Sequence, residues 1–147
     1  MENPQQNAQA LLYQLRYLRE QRDMYSQQLE IINASLNNLI NTKNTVENLK
    51  AVNDGEEILV PIGGILNLKA KVTNPDKVLL YAGHDVVIEK NLEDSIEYID
   101  KMISQHNEQV EFLRERTQKL EQSIQQATQT LQNMSQGLGQ NLGMVNE

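Results

Sequence analysis

The side chains best suited to proton transfer or metal binding in this 147-residue chain are its two histidines, His84 and His106. Imidazole titrates near neutral pH and ligates metals through either ring nitrogen. Neither histidine has a second histidine or a carboxylate at the spacing of a helix-borne metal site. Paired carboxylates occur at Glu56-Glu57, beside a turn, and at Glu93-Asp94, where a helix begins. Both positions have ordinary structural uses, and no cleft is predicted that would shift their titration. Gly63-Gly64 and Gly83 match no phosphate-binding loop, because no glycine-rich turn leads directly into a helix N-terminus. The chain has no cysteine, which removes disulfides, thiolate metal sites and cysteine nucleophiles. The expectation is a protein with no catalytic residues, no metal and no cofactor.

What the residues do specify is elements. Pro4 suits the first position of a helix, with Asn3 as its cap, and no further Pro or Gly appears before Gly55. Ala8, Leu11, Leu15, Leu18, Tyr25, Leu29, Ile32, Leu36, Leu39 and Val46 recur at alternating steps of four and three, interrupted by Arg22, Lys43 and Lys50. A mean step of 3.5 marks a coiled-coil seam rather than a globular helix face. The spacing predicts a helix over 4–52, of which the regular part is about 70 Å long at 1.5 Å per residue. Arg22 and Lys43 are expected to lay their stems along the seam with their charges in water; the alternative is a role in register or partner choice.

Asn53-Asp54-Gly55 ends that helix. Residues 56–90 read as two β-hairpins. Their strands are 57–60 and 66–72, turned by Gly63-Gly64, then 77–81 and 86–89, turned around Gly83-His84-Asp85. Isolated hairpins are marginal in water, so their apolar residues are expected to pair with other subunits. A second helix over 91–136 opens at Asn91, with Glu93 and Asp94 in its first turn. Its seam is Leu92, Ile96, Ile99, Ile103, Val110, Leu113, Leu120, Ile124, Ala127, Leu131, Met134 and Leu138, broken only by His106 and Thr117. The Gly-rich segment 137–147 is expected to be a flexible tail.

Two seams of matching length on either side of a compact reversal pair most economically within one chain. Aligning Lys50 with Leu92 brings Leu11 near Leu131. The expected fold is mainly α with a small β part: a long antiparallel coiled-coil hairpin with two central β-hairpins. The helix ends away from those hairpins hold Leu11, Leu12, Leu131, Met134 and Leu138, followed by Leu142, Met144 and Val145. Adjacent Leu11 and Leu12 cannot both be buried by one seam, and open apolar surface on a solvated rod is a candidate binding site.

Composition narrows the partners. Twenty acidic and thirteen basic residues give a net charge of -7 without a basic cluster, which argues against nucleic acid. No apolar run reaches membrane-spanning length, and the N-terminal residues do not read as a signal peptide. A soluble, cytoplasmic location is the expectation.

Glu57-Ile58-Leu59-Val60-Pro61-Ile62-Gly63, directly after a long seam helix, resembles the I-L-V-P-I/V-G signature of the prefoldin α class. Val87-Ile88-Glu89-Lys90 followed by Leu92-Glu93-Asp94-Ser95-Ile96 resembles the stretch by which that class enters its second helix. Two hairpins between the helices also fit the α class, since the β class has one. The pattern is not followed everywhere: His84-Asp85 stands where a glycine is expected, and Gly63-Gly64 leads straight into Ile65-Leu66.

The resemblance implies a hetero-hexamer of two α and four β subunits whose hairpins form inter-subunit β-barrels. It implies ATP-independent holding of unfolded or nascent proteins at the coiled-coil ends, and their delivery to a group II chaperonin. On that basis the client-binding residues would be Leu11, Leu12, Leu131, Met134, Leu138, Leu142, Met144 and Val145. The assembly residues would be Leu59, Val60, Ile62, Leu66, Leu68, Val72, Val78, Leu80, Val86 and Ile88. The alternative is a structural coiled-coil spacer or filament-forming relative without client transfer.

Overall fold

A computed structural model describes the backbone of residues 4–143 and the side chains of 5–137. The elements follow in the order α1 (Pro4–Leu49), β1 (Glu57–Ile62), β2 (Leu66–Lys71), β3 (Lys77–Tyr81), β4 (Val87–Asn91) and α2 (Leu92–Gly143). The chain divides into two compact units. One comprises Met1–Asn33 and Glu108–Glu147, the other Ala34–Asn107.

In the first unit, the beginning of α1 runs antiparallel to the end of α2. Leu15, Ile124 and Ala127 are buried together, with Leu11, Leu18 and Leu131 packed around them. In the second unit, Val46, Leu92 and Ile99 form the buried cluster, joined by Leu39, Leu49, Ile96, Ile103 and, from β3, Val78. Every described seam residue is buried or half-buried except Lys50, which is exposed. Leu49 takes the place expected of Lys50 against that cluster. The helix ends there: the amides of Lys50, Ala51 and Val52 bond back three residues, tightening the last turn before the chain reverses.

Arg22, Lys43 and His106, among the polar interruptions of the seams, are bonded within their own units. In the first, Arg22 Nη1 reaches Glu121 Oε1 at 3.2 Å and Arg22 Nη2 reaches Asp23 Oδ1 at 2.7 Å. In the second, Lys43 Nζ lies 2.7 Å from Asp100 Oδ1. His106 Nδ1 lies 2.8 Å from the Met102 carbonyl, which only accepts, so Nδ1 carries a proton. Nε2 of a neutral His106 is then the acceptor for the Ser35 hydroxyl at 2.9 Å. These pairs follow the alignment that matches Lys50 with Leu92. Both cations are half-buried along the seam and find carboxylates across it, Glu121 for Arg22 and Asp100 for Lys43. The Asp23 hydrogen bond, and after it that of Glu121, raises the affinity of Arg22 for its proton. The Asp100 hydrogen bond does the same for Lys43.

The start of α2 is capped as its sequence suggests: the Asp94 amide donates to Asn91 Oδ1 at 2.8 Å. Its far end differs from expectation. The helix continues through Gly137 to Gly143 rather than stopping at 136. Each interior glycine costs about 1 kcal/mol relative to alanine. Extending an existing helix needs no new nucleus, so local composition alone does not stop it.

β1 and β2 pair antiparallel from Glu57↔Lys71 to Ile62↔Leu66. β3 and β4 pair from Lys77↔Asn91 to Tyr81↔Val87. They form two separate two-stranded sheets. In the second turn, His84 and Asp85 adopt φ of 49° and 58°, in the left-handed region. That conformation costs a non-glycine residue about 1–2 kcal/mol. The Tyr81 hydroxyl donates to Asp85 Oδ1 at 3.3 Å across this turn.

Candidate functional site

The strand registers decide which apolar side chains share a face. In a strand, alternate residues point to opposite sides. In β1–β2, Ile58, Val60 and Ile62 therefore stand on one face with their partners Ala70, Leu68 and Leu66. This face is wholly apolar. The opposite face carries Glu57, Leu59, Pro61, Asn67, Lys69 and Lys71, with a Lys69–Glu57 salt bridge at 3.2 Å. Leu59, grouped by sequence with Val60 and Ile62, thus lies on the other side of the sheet, exposed at 63%. Val60, Ile62, Leu66 and Leu68 are brought together, and all four are exposed. Ile58 and Ala70 complete their face and were not singled out by sequence.

In β3–β4, Val78, Leu80 and Ile88 share a face. Val78 is half-buried and packs on the chain's own Val46–Leu92–Ile99 cluster. This intrachain contact accounts for its burial without a barrel core. Leu80 is half-buried and Ile88 exposed. The other face presents Leu79, 74% exposed, with Tyr81 and Val87. None of these three was among the predicted assembly residues. Val72 follows β2 and is half-buried, while Val86 precedes β4 and is exposed. Ile65, at the tip of the first turn, is 92% exposed.

The second predicted surface lies in the first unit. Leu11 and Leu131 pack on the same buried cluster, Met134 is half-buried, and Leu12 is exposed beside them. Leu12, Leu15, Arg16, Arg19, Thr128 and Leu131 line a shallow cleft with an apolar floor. The side chains of Leu138, Leu142, Met144 and Val145 lie outside the described residues.

Among the described residues no group of three or more His, Asp or Glu could hold a metal ion. His106 is committed to the seam, and His84 sits exposed in a strained turn. No described helix is long and apolar enough to cross a membrane.

Two long helices with two small antiparallel hairpins between them in sequence define a coiled-coil hairpin fold. The prefoldin subunit family model matches residues 5–137, and the chain belongs to the prefoldin family of chaperone subunits. It is similar to prefoldin subunit alpha 1 of Thermococcus kodakarensis, 35% identical over 96 residues, covering 65% of this chain and 66% of the relative. It is also similar to prefoldin subunit alpha of Methanoregula boonei, 32% identical over 116 residues, covering 79% and 75%. Two solved structures share the fold. The filamentous PFD of Methanocaldococcus jannaschii aligns with a TM-score of 0.57 at 24% identity, covering 83% of this chain and 95% of that one. The prefoldin beta subunit of Thermococcus strain KS-1 aligns with a TM-score of 0.59 at 15% identity, covering 90% and 96%.

Proposed function

We propose that this chain is the α subunit of a cytoplasmic, ATP-independent holding chaperone, a hetero-hexamer with two α and four β subunits. The observation that carries the reading is the bare apolar face of β1–β2: Ile58, Val60, Ile62, Leu66 and Leu68 all exposed on a sheet of only two strands. Such a sheet has open edges and unburied apolar area, and both are satisfied by strands from another subunit. The face of β3–β4 that exposes Leu79, Tyr81 and Val87, beside a Lys77–Glu89 ion pair at 3.7 Å, would supply a second, more polar contact. Clients would be unfolded or nascent proteins, held at the helix ends around Leu11, Leu12, Leu131 and Met134 and passed to a group II chaperonin. Hydrophobic attraction is non-directional, and Leu and Met adapt to varied partners, which suits chains without fixed shape.

The test is suppression of aggregation of a chemically unfolded protein, without ATP, with and without a β subunit. Suppression by the mixture alone, running as one hexamer-sized species, supports the proposal. Self-assembly of the chain into long polymers that protect nothing would replace it with a structural filament. Removing 1–10 and 136–147 should keep assembly and weaken holding; full holding by the shortened chain would move the client site elsewhere.

A further inference from the structure

Charge is unevenly placed in the first unit. Between Glu2 and Glu20, and between Glu121 and Glu147, the sequence holds two charged side chains, Arg16 and Arg19. The chain as a whole carries a net charge of -7, so this stretch is locally cationic on an acidic protein. Both arginines are exposed, and among the described residues neither forms an ion pair. Carboxylates do stand four residues after each, at Glu20 and Asp23. A cation placed N-terminal to its acid is the weaker order on a helix, and Asp23 is held by Arg22 at 2.7 Å. Arg22 is matched a second time by Glu121 at 3.2 Å. The unit thus neutralises Arg22 and leaves Arg16 and Arg19 open.

The two open guanidinium groups belong to the shallow cleft described above, and its lining is ordered along α1. Leu12, facing Leu131 of α2, comes first; Arg16 and Arg19 follow; Glu20 and Asp23 come last. Arg16 and Arg19 lie about 6 and 10 Å beyond Leu12 along the axis, at 1.5 Å per residue. An extended chain advances about 3.3 Å per residue. A bound segment with an apolar side chain at Leu12 and Leu131 therefore brings its second or third residue onward to the arginines. A carboxylate there meets two planar donor forks that can bind it bidentately. A carboxylate farther along meets Glu20 and Asp23 and is repelled.

From this charge order we infer that the cleft selects among unfolded clients, taking segments in which an acidic residue stands two or three positions from an apolar one. The inference rests on the holding role proposed for the helix ends and adds to it a chemical class of client. Apolar contact at Leu12 and Leu131 supplies the affinity, and Arg16 and Arg19 supply the preference.

The test titrates the full-length chain, alone and mixed with a β subunit, with unstructured dye-labelled peptides, read by fluorescence anisotropy. Three peptides share a run of leucines in a Gly-Ser background and carry a pair of Glu, Gln or Lys at the second and third positions beyond it. A fourth keeps the glutamates and lacks the leucines. The Glu peptide should bind about fivefold more tightly than the Gln peptide, as two exposed ion pairs allow, and the Lys peptide more weakly than either. The difference should shrink at about 0.5 M salt, where exposed charges are screened. Arg16→Gln with Arg19→Gln should bring the Glu and Gln peptides together, and Arg16→Glu with Arg19→Glu should invert the order. Circular dichroism checks that the variants remain helical. Equal binding of the Glu and Lys peptides by wild type would overturn the selection and leave the holding role standing. A Glu preference that survives the double Gln variant would do the same. Binding of the leucine-free peptide as tight as that of the Glu peptide would make the arginines a general anion site and overturn the combined recognition. No binding of any peptide, or binding of all unchanged by Leu12→Gln, would remove the holding role of this surface and the inference with it.

Discussion

Apolar residues occupy two regions of this molecule on different terms. In the helical seams, each finds its partner in the same chain: Leu15 with Ile124, Val46 with Leu92 and Ile99. In the hairpins, Ile58, Leu66, Leu79 and their neighbours are as apolar but remain exposed. The seams are therefore complete in one chain, whereas the hairpins leave apolar faces that the chain itself does not cover. The boundary between the regions falls within β3, where Val78 turns to the helical cluster and Leu79, one residue on, turns away from it.

That boundary gives the largest expected effect. Leu79→Asp together with Leu68→Asp should abolish the large assembly with a β subunit, read by light scattering, and leave the melting of the isolated chain within about 0.5 kcal/mol, as expected for surface changes. Val78→Asp should do the reverse in order of cause: a charge placed against the Val46–Leu92–Ile99 cluster without a partner destabilises the chain itself. An isolated Val78→Asp chain that melts like wild type would dissolve the distinction drawn here.

Within the seam, Ile99→Ala removes a side chain only 6% exposed and should cost about 2–4 kcal/mol, measured by denaturant unfolding. The hydrogen bond between Ser35 and His106 is worth less. Ser35→Ala should cost about 1 kcal/mol, and a double-mutant cycle with His106→Leu should recover most of it. The smallest effect is alkaline. Pairing raises Lys43 above its ordinary 10.5, so its contribution is complete below that value and fades as pH rises through the folded-state pKa. Lys43→Met should flatten the loss of stability above about pH 10.5, read from melting temperature against pH; an unchanged slope would show that the Asp100 contact does not persist in solution.

Most of the helical part was legible because its period is long and redundant. One misplaced residue, Lys50 for Leu49, did not disturb the alignment of the rest. The strands were harder. β2 alternates clearly, Leu66-Asn67-Leu68-Lys69-Ala70-Lys71, so its apolar face could be read directly. β1 is continuously apolar from Ile58 to Ile62, and a run without alternation carries no phase. Only its register against β2 separates Leu59 from Val60. Leu79 was missed for the same reason: Val78-Leu79-Leu80 does not say which of its members the helices will cover. The end of α2 was misread because seven residues of poor local composition were weighed without the long helix that precedes them.

The open sheets also bear on supply. The seams close within the chain, but the hairpins keep apolar faces and strand edges on offer until something occupies them. Copies made in excess of their partners would present the same surfaces to one another and to every other exposed edge nearby. Under the proposed assembly, the usable abundance of this protein would be set by the scarcer partner, and surplus chains would be substrates for proteolysis that clears orphaned subunits.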